Sequence, residues 1–183
     1  MSSIIIVILF IISGFFMKLS DDFYDENRDI LFSCIFAVIY ALASLIATVN
    51  DVGAAYIFIS IIIGNLLALK VDAADHILAL VIFVSGCLMF GVPHMDYIVL
   101  LICVIAALTD EIGHEFISKI TDNTFMHLFF EYRFVMKIVV FILAFTQAFG
   151  AATFIGFILF EIAYECAGVI FKSSNLKKEE ELF

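Results

Sequence analysis

The part of the sequence best suited to chemistry is an acidic segment, MKLSDDFYDENRDI (residues 17–30), which directly follows an apolar run. Its carboxylates are Asp21, Asp22, Asp25, Glu26 and Asp29. Carboxylates this close together repel one another unless a cation lies between them. Mg²⁺ prefers oxygen ligands and is usually held by one or two carboxylates together with substrate phosphates. The segment therefore indicates a site for Mg²⁺ and a phosphate-bearing molecule, with a solvated acidic loop as the alternative interpretation.

Two further acidic segments follow later apolar runs. They contain Asp72 and Asp75 in one case, and Asp110, Glu111, Glu115 and Asp122 in the other. If all three segments lie at the same end of one helix bundle, their carboxylates can meet there. A metal ion at that point would offset the charge of a leaving diphosphate, while the apolar bundle held a lipid chain.

The apolar runs predict the elements that position these residues. Hydrophobic residues make up 64% of the chain and charged residues 15%, whereas soluble domains are about half apolar and about a quarter charged. Runs of about 20 apolar residues are long enough to cross a bilayer. We therefore expect an all-α integral membrane bundle of about seven transmembrane helices. The predicted spans are Ser3–Met17, Ile30–Val49, Val52–Leu69, Ile77–Gly91, Tyr97–Thr109 and two helices within Ile138–Phe171 that separate near Gly150.

The same pattern predicts one transmembrane domain, residues 1–171, followed by a charged cytoplasmic tail, residues 172–183. An amphipathic segment that precedes the last two spans is typical of an interfacial helix.

The distribution of basic residues predicts the orientation. All nine lie in alternate loops or in the tail: Lys18, Arg28, Lys70, Lys119, Arg133, Lys137, Lys172, Lys177 and Lys178. The intervening turns, residues 50–51 and 92–96, carry none. The positive-inside rule then puts the N-terminus outside and the C-terminus inside. We expect a multi-pass protein of the cell membrane whose acidic segments, and hence its active face, are cytoplasmic.

Several other classes of protein are disfavoured. The net charge of −10 argues against a nucleic-acid partner. The four cysteines lie inside apolar runs without CxxC spacing, which indicates neither a disulfide nor a thiolate metal site. The sequence lacks HExxH, GxSxG, P-loop and GxGxxG motifs.

The first acidic segment resembles a motif of the UbiA superfamily of intramembrane prenyltransferases, which usually reads N-D-x-x-D-x-x-x-D. The resemblance implies an all-helical enzyme that transfers a prenyl group from an isoprenoid diphosphate to a lipid-soluble acceptor, with Mg²⁺ as cofactor. The family's first motif follows its second helix and another Asp-rich motif follows its sixth. Here the corresponding segments follow the first and fifth predicted helices, so the chain would lack two of the family's helices.

The resemblance implies roles for particular residues. Asp22, Asp25 and Asp29 would be metal ligands, and Asp21 stands where the family has Asn. Asp110 and Glu115 would be the catalytic residues of the second motif, which normally reads D-x-x-x-D and is only approximated here. Lys70, Lys119 and Arg133 would contact the diphosphate, although basic residues at inner helix ends are also what the topology requires. A homodimer could complete a pocket too small for one chain.

Two alternatives remain open. Glu161 and Glu165 lie four residues apart within the last predicted helix, and ionisable residues inside a membrane often mark a transport path. A cation- or proton-coupled transporter or channel is therefore the second hypothesis. The third is a membrane protein without catalytic chemistry whose acidic loops bind a partner.

Overall fold

The structure, a computed structural model, describes the backbone of residues 1–180 and the side chains of that range except those of residues 118 and 176–180. Within that range the secondary structure is entirely helical. The helices are α1 (Ser3–Asp25), α2 (Ile30–Asn50), α3 (Val52–Leu67), α4 (Ala74–Phe90), α5 (Tyr97–Ile120), α6 (Thr124–Glu131), α7 (Phe134–Phe145) and α8 (Ala151–Glu180). Residues 181–183 of the predicted tail lie outside the described part.

Four of these helices are long and apolar enough to cross a membrane, which is consistent with a multi-pass membrane protein. They are Ser3–Asp25, Ile30–Asn50, Tyr97–Ile117 and Ala151–Asn175. Helices α3, α4 and α7 are also apolar but shorter. At about 1.5 Å per residue, each spans less than the ~30 Å hydrocarbon core when straight. The prediction of seven crossings, and that of orientation, stays a prediction.

The largest difference from the predicted spans is that α1 and α5 continue past their apolar runs. Helix α1 ends at Asp25 rather than Met17, and α5 ends at Ile120 rather than Thr109. A helix satisfies its backbone hydrogen bonds internally, so the end of an apolar run marks a change of solvent and need not end the helix. Most acidic residues of the first and third segments are therefore presented on helix faces rather than on loops: Asp21, Asp22 and Asp25 on α1, and Asp110, Glu111 and Glu115 on α5.

Helix α8 likewise continues through residue 171 as far as Glu180. The segment interpreted as a tail is thus helical over its described residues.

The N- and C-terminal helices pack side by side, with α1 running parallel to α8. Their closest approach is at Gly14, where an added Cβ would lie 2.9 Å from the carbonyl carbon of Phe160. Near their shared C-terminal ends, the rings of Phe23 and Phe171 are in edge-to-face contact, with centroids 5.1 Å apart. Small residues allow such close backbone contact between apolar helices. Helix α1 also packs on α2, α2 on α4, α3 on α5, and α5 on α7.

Polar contacts join the helices at the end of the bundle away from the acidic segments. Asp51 caps α3 by accepting from the Ala54 amide at 2.8 Å, and it also accepts from the hydroxyl of Thr153 at 3.2 Å. The Asp96 amide donates to the hydroxyl of Tyr56 at 2.6 Å. These contacts bring the N-terminal ends of α3, α5 and α8 together, so their other ends meet around the acidic segments.

Candidate functional site

A cavity of about 340 Å³ lies at the acidic end of the bundle. Its charged and ionisable lining comes from α1, α2, the loop between α3 and α4, α4, α5, the residue before α7, and α8: Lys18, Asp21, Asp25, Tyr40, Lys70, His76, Asp110, Glu111, His114, Arg133, Glu161 and Tyr164. Its apolar lining includes Met17, Phe58, Phe83, Met136, Phe157 and Phe160. A site lined by both charged and apolar side chains suits an amphiphilic ligand whose headgroup is charged.

Helix periodicity and packing together decide which residues of the first acidic segment face this cavity. Asp21 and Asp25 are one turn apart on α1, so they lie on the same face, and both line the cavity. Asp22 lies at the edge of the same face, one turn from Lys18, but it is buried and does not line the cavity; its Oδ1 is 2.9 Å from Nζ of Lys18. Asp29 does not line the cavity but caps α2 by accepting from the Phe32 amide at 3.2 Å.

Asp110 on α5 is buried, with 1% of its surface exposed. Its two carboxylate oxygens accept from the amides of Val135 at 3.0 Å and Met136 at 2.7 Å. These amides are in the first turn of α7, where helical N–H groups lack partners within the helix and the helix dipole favours negative charge. Asp110 therefore both lines the cavity and stabilises the start of α7.

Arg133 immediately precedes α7 and has left-handed backbone dihedrals, with φ of 49°. Its guanidinium lies 2.9 Å from the carboxylate of Glu111, next to Asp110 on α5. Burial acts to lower the pKa of Arg133, but the charge of Glu111 and of neighbouring acidic groups outweighs it and raises the pKa overall. Arg133 is thus a fixed cation at the cavity wall.

The other predicted catalytic residue, Glu115, and the predicted diphosphate-binding lysines, Lys70 and Lys119, are more exposed. Glu115 is 3.2 Å from Nζ of Lys70, and both side chains are 40% exposed. Lys70 lines the cavity, whereas Glu115 does not. Lys119 also lies outside the cavity lining, with its ammonium 4.7 Å from the ring centroid of Phe116.

A second group of ionisable side chains joins α1 to the start of α4. Nε2 of His76 is 3.2 Å from Oδ1 of Asp21, and Nδ1 is 3.8 Å from Oδ1 of Asp75. His76 lies in the polar first turn of α4, ahead of that helix's apolar residues. Its interaction with the Asp21 carboxylate, which outweighs partial burial, raises the pKa of His76 to about 9. In the absence of another cation, His76 is therefore charged at neutral pH.

Of the two glutamates that suggested a transport path, only one faces the cavity. Glu161 lines it and lies 3.0 Å from Nζ of Lys137. Glu165 is exposed and is not part of the lining.

The structure thus brings together Asp25, Asp110, Lys70 and Arg133 among the residues named from sequence, and leaves Asp22, Asp29, Glu115 and Lys119 outside the cavity. Sequence reasoning assigned no role to Glu111 or to the group around His76. The spacing of four between Asp21 and Asp25 could have indicated the cavity-facing pair, had the segment been treated as helix.

Comparison with protein-family models, with curated proteins and with solved structures gave no match to this chain. The fold defines the class as an all-helical protein consistent with multiple membrane spans. Any more specific function must be argued from the cavity.

Proposed function

We propose that this protein is a seven-span protein of the cell membrane that transfers a prenyl group from an isoprenoid diphosphate to a lipid-soluble acceptor. The reaction depends on Mg²⁺, resembles that of UbiA-type prenyltransferases, and takes place at the cytoplasmic face. One observation carries the proposal: the acidic ends of α1 and α5, far apart in sequence, line a single cavity that is also lined by many apolar side chains.

Asp25 and Asp110 are the residues best placed to hold Mg²⁺. Asp25 is exposed, lines the cavity and forms no ion pair among the described residues, so its oxygens are open to a ligand. Asp110 supplies a carboxylate from the opposite helix. Carboxylate oxygens are the donors that Mg²⁺ prefers. When bound together with a diphosphate, Mg²⁺ would offset negative charge on the leaving group. Asp22 and Asp29 do not line the cavity, so they are not part of this set.

The basic residues at the cavity can bind the diphosphate oxygens directly. Arg133 presents a planar guanidinium suited to paired hydrogen bonds with phosphate, and Glu111 holds it in place. Lys70 supplies a second cation at the rim, next to Glu115. The two cations come from different helices, so they can contact one headgroup from two sides.

The aromatic lining can hold the isoprenoid chain. Phe58 of α3 is in edge-to-face contact with Phe160 of α8, with ring centroids 6.1 Å apart, and Phe157 stacks on Phe160 at 6.2 Å. The cavity volume is within the ~300–1,000 Å³ of small-molecule sites. Exclusion of water by these rings would protect a carbocation-like prenyl group from hydrolysis.

The proposal predicts that Asp25→Asn weakens Mg²⁺-dependent binding of farnesyl diphosphate at least tenfold, because one metal-facing charge is lost. The measurement is equilibrium binding to detergent-solubilised protein, with Mg²⁺ and with EDTA. Glu26→Gln is the matched control, since Glu26 is the adjacent, exposed carboxylate that does not line the cavity. Equal binding by both variants and the wild type, or binding that EDTA leaves unchanged, would refute the metal-bridged diphosphate.

The transporter hypothesis stays a prediction that no specific observation favours, because only Glu161 of its two glutamates faces the cavity.

A further inference from the structure

Three side chains beside the cavity converge in a way that the proposed function does not use. Asp21, Asp75 and His76 can each offer one ligand atom such that the three atoms lie within 4.8 Å of one another. Two of these residues, Asp21 and His76, also line the cavity. The group joins α1 to α4.

Asp75 shows that this group is more than a set of solvated acids. Its side chain is fully buried, with 0% of its surface exposed. Its Oδ2 accepts from the hydroxyl of Ser20 at 2.8 Å, but its Oδ1 has no hydrogen-bond partner among the described residues. A buried carboxylate oxygen without a partner is costly, so its persistence calls for a ligand.

The other two residues also present buried atoms to this group. Oδ1 of Asp21 forms an ion pair with Nε2 of His76 at 3.2 Å, and Nδ1 of His76 has no hydrogen-bond partner within the described chain. The second oxygen of Asp21 is held by the hydroxyl of Tyr164 at 3.1 Å, which fixes the orientation of the carboxylate. Oδ1 of Asp21, Oδ1 of Asp75 and one ring nitrogen of His76 therefore point to one common ligand.

The spacing allows a divalent cation, and the charge favours one. Two ligand atoms each ~2.0–2.2 Å from a metal at bond angles near 90–110° are separated by roughly 3 Å, close to the 3.2 Å between Nε2 of His76 and Oδ1 of Asp21. Two carboxylates and a neutral imidazole balance the charge of one divalent ion. An imidazolium between the same carboxylates leaves one negative charge uncompensated.

We infer that Asp21, Asp75 and His76 bind a divalent transition-metal ion such as Zn²⁺. Imidazole nitrogen combined with carboxylate oxygen suits zinc and its neighbours in the periodic table, whereas Mg²⁺ is usually bound by oxygen alone. Three protein ligands leave a coordination position open, and it faces the cavity because Asp21 and His76 form part of its wall. The metal would also fasten the end of α1 to the start of α4.

The test is zinc binding by the full-length, chelator-stripped protein in detergent, measured by competition with a chromophoric chelator in excess Mg²⁺ and without any prenyl diphosphate. We expect one Zn²⁺ per chain and a zinc-dependent rise in melting temperature. Asp75→Asn, which keeps an acceptor for Ser20, and His76→Gln should each weaken zinc binding at least tenfold. His114→Gln is the control, because its imidazole also lines the cavity but lies 3.7 Å from Glu131.

If the wild type binds no zinc at micromolar concentration, the inference is overturned whatever the variants do. The group would then be a protonated His76 between two carboxylates. Zinc affinity that Asp75→Asn and His76→Gln leave unchanged would overturn it as well. The inference does not depend on the proposed prenyl transfer, since prenyl diphosphate binding can fail while zinc binding holds.

Discussion

Gly14→Val is expected to destabilise the helix bundle by about 3 kcal/mol or more, through overpacking at the contact between α1 and α8. A Cβ at position 14 would overlap the carbonyl oxygen of Phe160 and lie 2.9 Å from its carbonyl carbon. Because these are backbone atoms of α8, no side-chain rotation can relieve the contact. The two helices must separate, and the cavity walls that they carry separate with them. The measurement is the free energy of unfolding in a detergent titration.

Gly14→Ala provides a sharper test, because the direction of its effect on stability should be reversed from that of an ordinary glycine-to-alanine change in a helix. Alanine normally stabilises a helix interior by about 0.5–1 kcal/mol relative to glycine, yet here it should destabilise because even one methyl group meets backbone. Gly150→Ala is the control for a glycine in open space: Gly150 directly precedes α8, and an added Cβ there has nothing within 4 Å. A Gly14→Ala protein as stable as Gly150→Ala would mean that α1 and α8 do not approach this closely.

Asp110→Leu is expected to cost several kcal/mol of unfolding free energy, because it removes the acceptor of two amides at the start of α7. A buried donor left without a partner costs about 1–3 kcal/mol. Leucine has the same branched skeleton as aspartate but larger terminal groups, so it leaves no cavity and the loss should reflect the missing acceptor. Asp110→Asn, which keeps one carbonyl oxygen, should lose about half as much.

Thr109→Val is the control for this series. Thr109 is exposed and its hydroxyl donates only to the carbonyl of Ile105 in its own helix, at 2.7 Å. Thermal unfolding in detergent should rank the proteins as wild type and Thr109→Val, then Asp110→Asn, then Asp110→Leu. Equal melting temperatures for Asp110→Leu and Thr109→Val would show that Asp110 does not hold α7.

Much of the helix order could be predicted because apolar runs and polar turns are local features. The predicted Ile30–Val49 corresponds to α2 (Ile30–Asn50), and the predicted break at Gly150 directly precedes α8. The ends of α1 and α5 could not be found in this way. Hydropathy marks where lipid contact stops, whereas the helix continues until its backbone is capped or broken.

The assignment of Asp22, Asp25 and Asp29 to the site followed from the motif resemblance and not from helix geometry. Treated as a loop, the first segment gave no reason to prefer Asp21 over Asp22. Treated as helix, residues 21 and 25 share a face. Residue 22 lies beside that face, and its packing against Lys18 and α8 keeps it out of the cavity lining. The approach of Asp21 to Asp75 and His76 depends on packing between α1, α2 and α4, which no local pattern of the sequence records.

The central claim is that the acidic ends of α1 and α5 hold one metal-bridged diphosphate between them. A double-mutant cycle in Mg²⁺-dependent farnesyl diphosphate binding, combining Asp25→Asn with Asp110→Asn, tests that claim directly. If both carboxylates share one metal and headgroup, their effects on binding free energy should be coupled by at least about 1 kcal/mol. Effects that add to within about 0.5 kcal/mol would contradict a shared site.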